Sequence, residues 1–243
     1  YLSMKLHKSP PKLCFVLWRI PAAFPHNTLN FTRVEHLYKQ NSGLPPPRLQ
    51  AVVYSTNQIN HITGKKAGNS VSNLSSTRAL ADVTIQNGGE YYASAVGEVN
   101  VVEMMKEKNA VIGGEGNGGV IFPELHYGRD ALVGIALFLT YLANKKLKMS
   151  ELKSSFPQYT ISKNKLDLSD TTNIDLLLEK ISEKYKTVKQ NKIDGLKLEF
   201  EYEWVHMRKS NTEPIIRIYA ESQNKQSAHL LGERFVEELK SLI

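Results

Sequence analysis

Residues 110–123 read Ala-Val-Ile-Gly-Gly-Glu-Gly-Asn-Gly-Gly-Val-Ile-Phe-Pro, and this stretch decides the fold class. Five of the seven residues from Gly113 to Gly119 are glycine, and they follow a strand-like run. Three of them match the dinucleotide-binding spacing G-x-G-x-x-G, but that motif needs a helix to begin at once and hold the pyrophosphate. Here a strand-like run ends at Pro123, and Glu115 would oppose the anionic pyrophosphate. We therefore reject a nicotinamide dinucleotide site.

The chemistry of this loop suits a neutral polyol better than an anion. The carboxylate of Glu115 can accept hydrogen bonds from two neighbouring sugar hydroxyls, and Asn117 can donate or accept beside it. The alternative interpretation is an ordinary glycine-rich turn with an exposed glutamate. From the residues alone, both interpretations remain open.

The residues around the loop alternate strand-like and helical runs, which predicts an α/β domain over residues 68–160. The predicted strands and helices are, in chain order, Ser70–Leu74, Thr77–Gln86, Glu90–Ala93, Val99–Lys108, Ala110–Gly114 and the buried helix Arg129–Lys145.

A second domain is predicted over residues 173–243, after a polar stretch at 162–172 in which Thr172 can cap the next helix. Asp194-Gly195 is a typical hairpin turn, and alternating apolar residues follow it. The later predicted elements are the strands Trp204–Lys209 and Ile215–Glu221 and the closing helix Lys225–Leu242.

The loop that joins those two strands reads Arg208-Lys209-Ser210-Asn211-Thr212-Glu213-Pro214. Arg208 offers a planar fork that matches phosphate oxygens, and Arg217 adds a second positive charge. Ser210, Asn211 and Thr212 supply short polar donors together with their backbone N–H groups. The alternative is a polar hairpin in which Arg217 pairs with a nearby surface carboxylate.

The net charge of +7 is concentrated at one end of the chain. Residues 1–66 hold nine Lys and Arg and one acid, Glu35, whereas residues 67–243 hold 22 Lys and Arg against 23 acids. Seven of the ten prolines also lie in the first segment, so residues 1–67 are predicted to be irregular. Its basic residues lack the aromatic or helical arrangement that reads bases, which argues against a nucleic-acid partner.

The remaining composition argues against a disulfide scaffold and a membrane partner. A single cysteine, Cys14, excludes an internal disulfide and a thiolate metal cluster, and it favours a cytoplasmic location. The longest apolar stretch, Ala131 to Ala143, is shorter than the roughly 20 residues that span a bilayer.

Taken together, four segments of residues 68–243 resemble the alpha-D-phosphohexomutase superfamily, which includes phosphoglucomutases, phosphomannomutases and phosphoglucosamine mutases. The segments are Ser75-Ser76-Thr77-Arg78-Ala79-Leu80, Ala95-Val96-Gly97-Glu98, Gly113 to Gly119, and Arg208 to Pro214 with Arg217. The resemblance is to the third and fourth domains of this superfamily. It implies an α/β sandwich followed by a smaller α+β domain with an antiparallel sheet.

The resemblance also implies an isomerase that moves a phosphoryl group between positions 1 and 6 of a hexose or hexosamine phosphate. The sugar-binding role carries over to Glu115 and Asn117. The phosphate-binding role carries over to Arg208, Ser210, Asn211, Thr212 and Arg217. Many members have a serine followed by Gly-His in the sugar loop, whereas this chain has Asn117, Gly118 and Gly119, so the sugar is not specified.

Two of the superfamily's loops have no match in this chain. The phosphoserine loop is of the Ser-His-Asn-Pro type, and Pro25-His26-Asn27-Thr28 has no serine before His26. The Asp-x-Asp-x-Asp-Arg loop that holds Mg²⁺ is also missing, so no metal ligand and no catalytic residue can be assigned. The resemblance therefore predicts a truncated enzyme, inactive without its amino-terminal domains. The alternative is a sugar-phosphate-binding module without catalysis.

Overall fold

The computed structural model describes residues 68–116, 119–168, 172–210 and 212–243. The segment 1–67, which was predicted to be irregular, lies outside the described residues, as do Asn117 and Asn211. The described residues form two sheets of five strands each. The first sheet contains the first five strands along the sequence, and the second sheet contains the next five.

The first sheet combines three parallel strands with an antiparallel extension, in the order β2-β1-β3-β4-β5. Strand β1 pairs in parallel with β2 and β3, whereas β4 pairs antiparallel with β3 and β5. Its elements are β1 (Ser70–Asn73), α1 (Ala79–Gln86), β2 (Tyr91–Ser94), α2 (Glu98–Glu107), β3 (Ile112–Gly114), β4 (Val120–Phe122), β5 (His126–Arg129), α3 (Ala131–Lys145) and α4 (Met149–Ser154).

Helices cover both faces of this sheet, which makes it the α/β sandwich that the resemblance implied. On one face, Ile112 and Val120 pack with residues of α1, α3 and α4 around Leu142. On the other, Val71 and Ile121 pack with Met105 of α2. Successive residues of a strand thus point to opposite faces of the sheet and into different hydrophobic cores, as the two-residue repeat of a β-strand requires.

The second sheet is entirely antiparallel, in the order β6-β10-β9-β8-β7. Two helices cover one of its faces, where Ile181 and Phe235 are fully buried among strand residues. Its elements are β6 (Thr160–Asp167), α5 (Ile174–Lys184), β7 (Lys189–Asn191), β8 (Leu196–Glu199), β9 (Trp204–Lys209), β10 (Ile215–Ser222) and α6 (Lys225–Lys240).

Several details of the predicted elements are corrected by the structure. Residues 126–129 form strand β5, so the long helix begins at Ala131, where the side chain of Asp130 accepts hydrogen bonds from two backbone N–H groups. Most of the polar stretch 162–172 that was expected to separate the domains belongs to β6, which pairs with β10. Asn173, not Thr172, caps α5.

Within the described residues, no helix combines the length and apolar character needed to cross a bilayer. The apolar helix α3 has 15 residues.

Candidate functional site

Three loops meet at the carboxyl-terminal edge of the parallel strands, where α/β sheets commonly bind ligands. They follow β1, β2 and β3. Asn73, the last residue of β1, fixes the first loop, because its Oδ1 accepts hydrogen bonds from Ser75 N at 3.1 Å and Ser76 Oγ at 3.0 Å. The side chain of Asn73 thus fixes the conformation of the loop after β1.

Glu115 connects all three loops. It is only 6% exposed, and its Oε1 accepts hydrogen bonds from Asn73 Nδ2 at 3.0 Å and from Gly97 N at 3.2 Å. Its Oε2 lies 3.7 Å from Nη1 of Arg129. The alternative of an ordinary turn with an exposed glutamate is thus wrong. A carboxylate has about four acceptor sites, so these contacts leave some of the acceptor sites of Glu115 unfilled.

Arg129 is held beside Glu115 by a second acid. Glu98 accepts hydrogen bonds from Arg129 N at 3.0 Å and from Arg129 Nε at 2.7 Å. Gly119 lets the loop approach this arginine, because a Cβ there would lie 2.6 Å from Arg129 Cδ. Arg129 was predicted as the first residue of a helix and was not among the predicted site residues.

The loop between β9 and β10 brings the two predicted arginines together. Arg208 and Arg217 lie directly opposite each other in the antiparallel pair. Nη2 of Arg217 contacts Ser210 Oγ at 3.4 Å and Glu213 Oε2 at 3.0 Å, so its carboxylate partner belongs to the loop itself. Ser210 is buried, whereas Thr212 is exposed.

The guanidinium of Arg208 is largely without partners. Its Nε is buried and has no hydrogen-bond partner among the described residues, and its Nη1 reaches only Lys209 O, at 3.5 Å. A charged donor that is left unpaired costs free energy unless a ligand satisfies it. Arg208 Nε is therefore an unsatisfied buried donor, and the terminal nitrogen Nη1 makes only one long contact among the described residues.

The second sheet turns a polar face toward the first unit. Ser75 Oγ lies 3.1 Å from His206 Nδ1, and Lys197 Nζ donates to Leu74 O at 3.0 Å. Glu221 Oε1 accepts a hydrogen bond from Arg78 N at 2.9 Å. These contacts place the loop after β1 against the middle of the second sheet.

A short path of contacts leads from Glu115 to Arg208. Glu115 accepts a hydrogen bond from Gly97 N, and the neighbouring Val96 N donates to Asp194 Oδ2 at 3.0 Å. Gly195, with φ of +72°, lies against β9 so closely that a Cβ there would be 2.8 Å from Arg208 Cα. The loop at residues 113–119 and the start of the loop at residues 208–217 are thus joined through Val96 and Gly97 of the first unit and Asp194 and Gly195 of the second.

Two family models match this arrangement along the chain. One, described as phosphoglucomutase/phosphomannomutase, alpha/beta/alpha domain III, matches residues 50–159, and the other, described as the C-terminal domain, matches residues 168–238. The chain belongs to this family. The domain III match begins at residue 50, within the segment 1–67 that was predicted to be irregular, whereas the α/β domain was predicted to begin at residue 68.

Curated relatives of this phosphohexomutase-family chain are considerably longer. A phosphoglucosamine/phosphogalactosamine mutase from Sulfurisphaera tokodaii is 39% identical over 150 residues, which are 61% of this chain and 32% of that protein. A phosphoglucomutase/phosphomannomutase from Thermococcus kodakarensis is 36% identical over 172 residues, which are 69% of this chain and 38% of that protein. The chain thus spans about a third of the length of these relatives.

Solved structures share the fold. A phosphoglucomutase/phosphomannomutase family protein from Burkholderia thailandensis aligns with a TM-score of 0.64 at 23% identity, covering 80% of this chain and 42% of that one. The Paramecium phosphoglucomutase parafusin, in its open form, aligns with a TM-score of 0.60 at 16% identity, covering 82% of this chain and 41% of that one.

His206, which the sequence analysis did not single out, lies at the centre of the interface between domain III and the C-terminal domain. Its Nε2 is 2.7 Å from Asp194 O, and because a carbonyl oxygen only accepts, Nε2 donates and Nδ1 accepts from Ser75. Burial lowers the pKa of His206 to about 4. The interface therefore requires a neutral imidazole.

Two further buried charges flank His206 in this phosphohexomutase-family interface. Burial lowers the pKa of Lys197 to about 8, while its ammonium lies 4.2 Å from the centre of the Trp204 ring. Burial raises the pKa of Glu221, against the hydrogen bonds that Arg78 N and Trp204 Nε1 donate to it. The polar face is therefore a packed junction between domains and not a solvated surface.

Among the residues that the structure describes, no three His, Cys, Asp or Glu side chains are grouped so that they could hold a metal ion.

Proposed function

We propose that this chain supplies the substrate-binding half of a phosphohexomutase that acts on a hexose or hexosamine phosphate. In this proposal Glu115 and Asn117 bind sugar hydroxyls. The phosphate group is bound by Arg208, Ser210, Asn211, Thr212 and Arg217. The names of the curated relatives, which include phosphoglucosamine mutase and phosphomannomutase, support this substrate class.

One observation carries the proposal: the path of contacts that joins Glu115 to Arg208 through Gly97 and Asp194. If the sugar-binding carboxylate and the anion-binding guanidinium lay on unrelated surfaces, they would bind separate ligands. Here the two loops lie on either side of one junction between domains, which is where ligand sites often form.

The phosphate end of the site is supported by its charge and its free donors. The terminal nitrogens of Arg208, of which Nη1 makes only a 3.5 Å contact to Lys209 O, can donate to phosphate oxygens in the planar geometry that arginine and phosphate share. Arg217 has an exposed partner in Glu213, which a phosphate group could replace. Ser210 lies between these groups and can add a hydroxyl donor.

The chemical step of the reaction needs groups that this proposal places outside the chain. Phosphoryl transfer requires a phosphodonor or activated nucleophile and a cation that neutralises the developing charge. The related N-acetylphosphoglucosamine mutase from Aspergillus fumigatus was solved with GlcNAc-6P and magnesium. We assign to this chain only the positioning of the substrate. In this proposal the amino-terminal domains of the enzyme provide the phosphoserine and the metal loop.

The proposal predicts binding without turnover. The 243-residue chain, supplied with glucosamine 6-phosphate, Mg²⁺ and the bisphosphate activator, should bind one sugar phosphate in a calorimetric titration and form no glucosamine 1-phosphate. Accumulation of product would contradict the assignment of catalysis to other domains. The absence of any heat of binding would contradict the proposed function itself.

An extension of this experiment distinguishes half of an enzyme from a binding module without catalysis. Addition of the first two domains of a related mutase should restore turnover if this chain is half of an enzyme. A pure binding module would stay inactive in that mixture.

A further inference from the structure

A row of three positively charged residues crosses the second sheet at its phosphate end. Arg217 of β10 lies directly opposite Arg208 of β9 on one side and directly opposite Lys165 of β6 on the other. Residues that are paired in this way project to the same face, with Cβ atoms about 4.5–5.5 Å apart. The register therefore places Lys165 beside the arginine pair.

We infer that Lys165 is the third cation of the phosphate site and that it makes the site selective for doubly charged phosphate esters. This inference rests on the proposed function of Arg208 and Arg217. The sequence analysis gave Lys165 no role.

The charges of the row do not balance within the described residues. Arg217 pairs with Glu213 at 3.0 Å, and Lys165 pairs with Asp167 at 3.1 Å, whereas Arg208 contacts no acid. Both acids are largely exposed, with 54% and 74% of their side-chain surface accessible. Exposed ion pairs contribute little to stability, so an anion can replace either acid at small cost.

Like charges that face each other across strands destabilise a sheet, and this row holds two such pairs side by side. An anion that lies over Arg217 would relieve both repulsions at once. A phosphate monoester carries about 1.5 to 2 negative charges at neutral pH, against one for a sulfate ester, so it gains more from a third cation.

The next row along the same face differs. There Lys163 is opposite Tyr219, and its ammonium lies 5.3 Å from the centre of that ring. Tyr219 is in turn opposite the buried His206. His206 is in turn opposite Lys197 of β8, whose ammonium lies over the ring of Trp204. The lysines of this row thus lie over aromatic rings, whereas Lys165, Arg217 and Arg208 lie directly beside one another.

The test uses the full chain in calorimetric titrations with glucosamine 6-phosphate and with glucosamine 6-sulfate. Lys165→Ala is expected to weaken binding of the phosphate ester by about threefold to fivefold, and binding of the sulfate ester by less than about twofold. Asp167→Asn, which frees Lys165, is expected to strengthen binding of the phosphate ester. Lys165→Arg should keep the wild-type affinities.

Lys189→Ala is the matched control. Lys189 lies on the opposite edge strand, β7, and pairs with Glu199 at 2.6 Å, so the substitution removes the same charge far from the row. If Lys165→Ala behaves like Lys189→Ala while Arg208→Ala loses binding, the inference is wrong and the proposed function stands. If Arg208→Ala also binds normally, the proposed function is wrong as well. Equal losses for both esters would contradict selectivity for the doubly charged ligand.

Discussion

Arg208→Ala should weaken binding of glucosamine 6-phosphate about a hundredfold, because a bidentate charged pair contributes roughly 3 kcal/mol. In the free protein the buried Nε of Arg208 has no partner among the described residues, so the substitution removes few internal contacts. The loss should therefore appear in binding and leave the free energy of unfolding almost unchanged. Calorimetric titration together with chemical denaturation measures both quantities.

Lys209→Ala provides the control for this experiment, since it removes the same charge from the next residue, on the opposite face of β9. Its affinity should remain near that of the wild type. Arg208→Lys should recover only part of the binding, because lysine keeps the charge but lacks the planar fork. Equal affinities for Arg208→Ala and Lys209→Ala would show that the guanidinium does not bind the phosphate.

Acid should destabilise the junction between the domains through His206. Its pKa falls from 6.5 in the unfolded chain to about 4 in the folded protein. Above pH 6.5 both states are neutral at this residue, and its contribution is complete. As the pH falls from 6.5 to 4, this histidine binds a proton in the unfolded chain but not in the folded protein. The free energy of unfolding should therefore fall by about 3 kcal/mol.

The measurement is chemical denaturation at several pH values between 7 and 4, with wild type, His206→Gln and His229→Gln. His229 is exposed on α6 and pairs with Glu233, so its replacement removes a histidine without touching the junction. His206→Gln should flatten the pH dependence by about 3 kcal/mol, and His229→Gln should not. An unchanged pH dependence in His206→Gln would refute the role of the neutral imidazole.

Elements with a clear hydrophobic period could be predicted from the sequence. Strand β9 and the start of α6 match their predicted positions, and the apolar residues that recur along one face of α6, Ala228, Leu231, Phe235 and Leu239, are buried. Strand β6 was missed because its sequence, Thr-Ile-Ser-Lys-Asn-Lys-Leu-Asp, is polar and does not alternate. Edge strands often carry lysines that discourage pairing with other chains, and β6 is an edge strand.

Glu115, Arg208 and Arg217 could be chosen as candidate site residues from the sequence, because the argument for each rests on the chemistry of its own side chain. The residues that position them could not. Ser75 and His206 are 131 positions apart, and nothing in a single sequence pairs them. His206 alternates with apolar neighbours on β9 in a way that is typical of a solvent-facing side chain, yet the other domain buries it.

The proposed function requires that one sugar phosphate contacts both the loop at residues 113–119 and the loop at residues 208–217. Titration of the isotopically labelled chain with glucosamine 6-phosphate, followed by NMR of the backbone amides, tests it most directly. The account predicts that amide signals from residues 115–119 and from residues 208–217 shift together along one binding curve with a single dissociation constant. A response confined to one loop, or two loops that follow different curves, would contradict it.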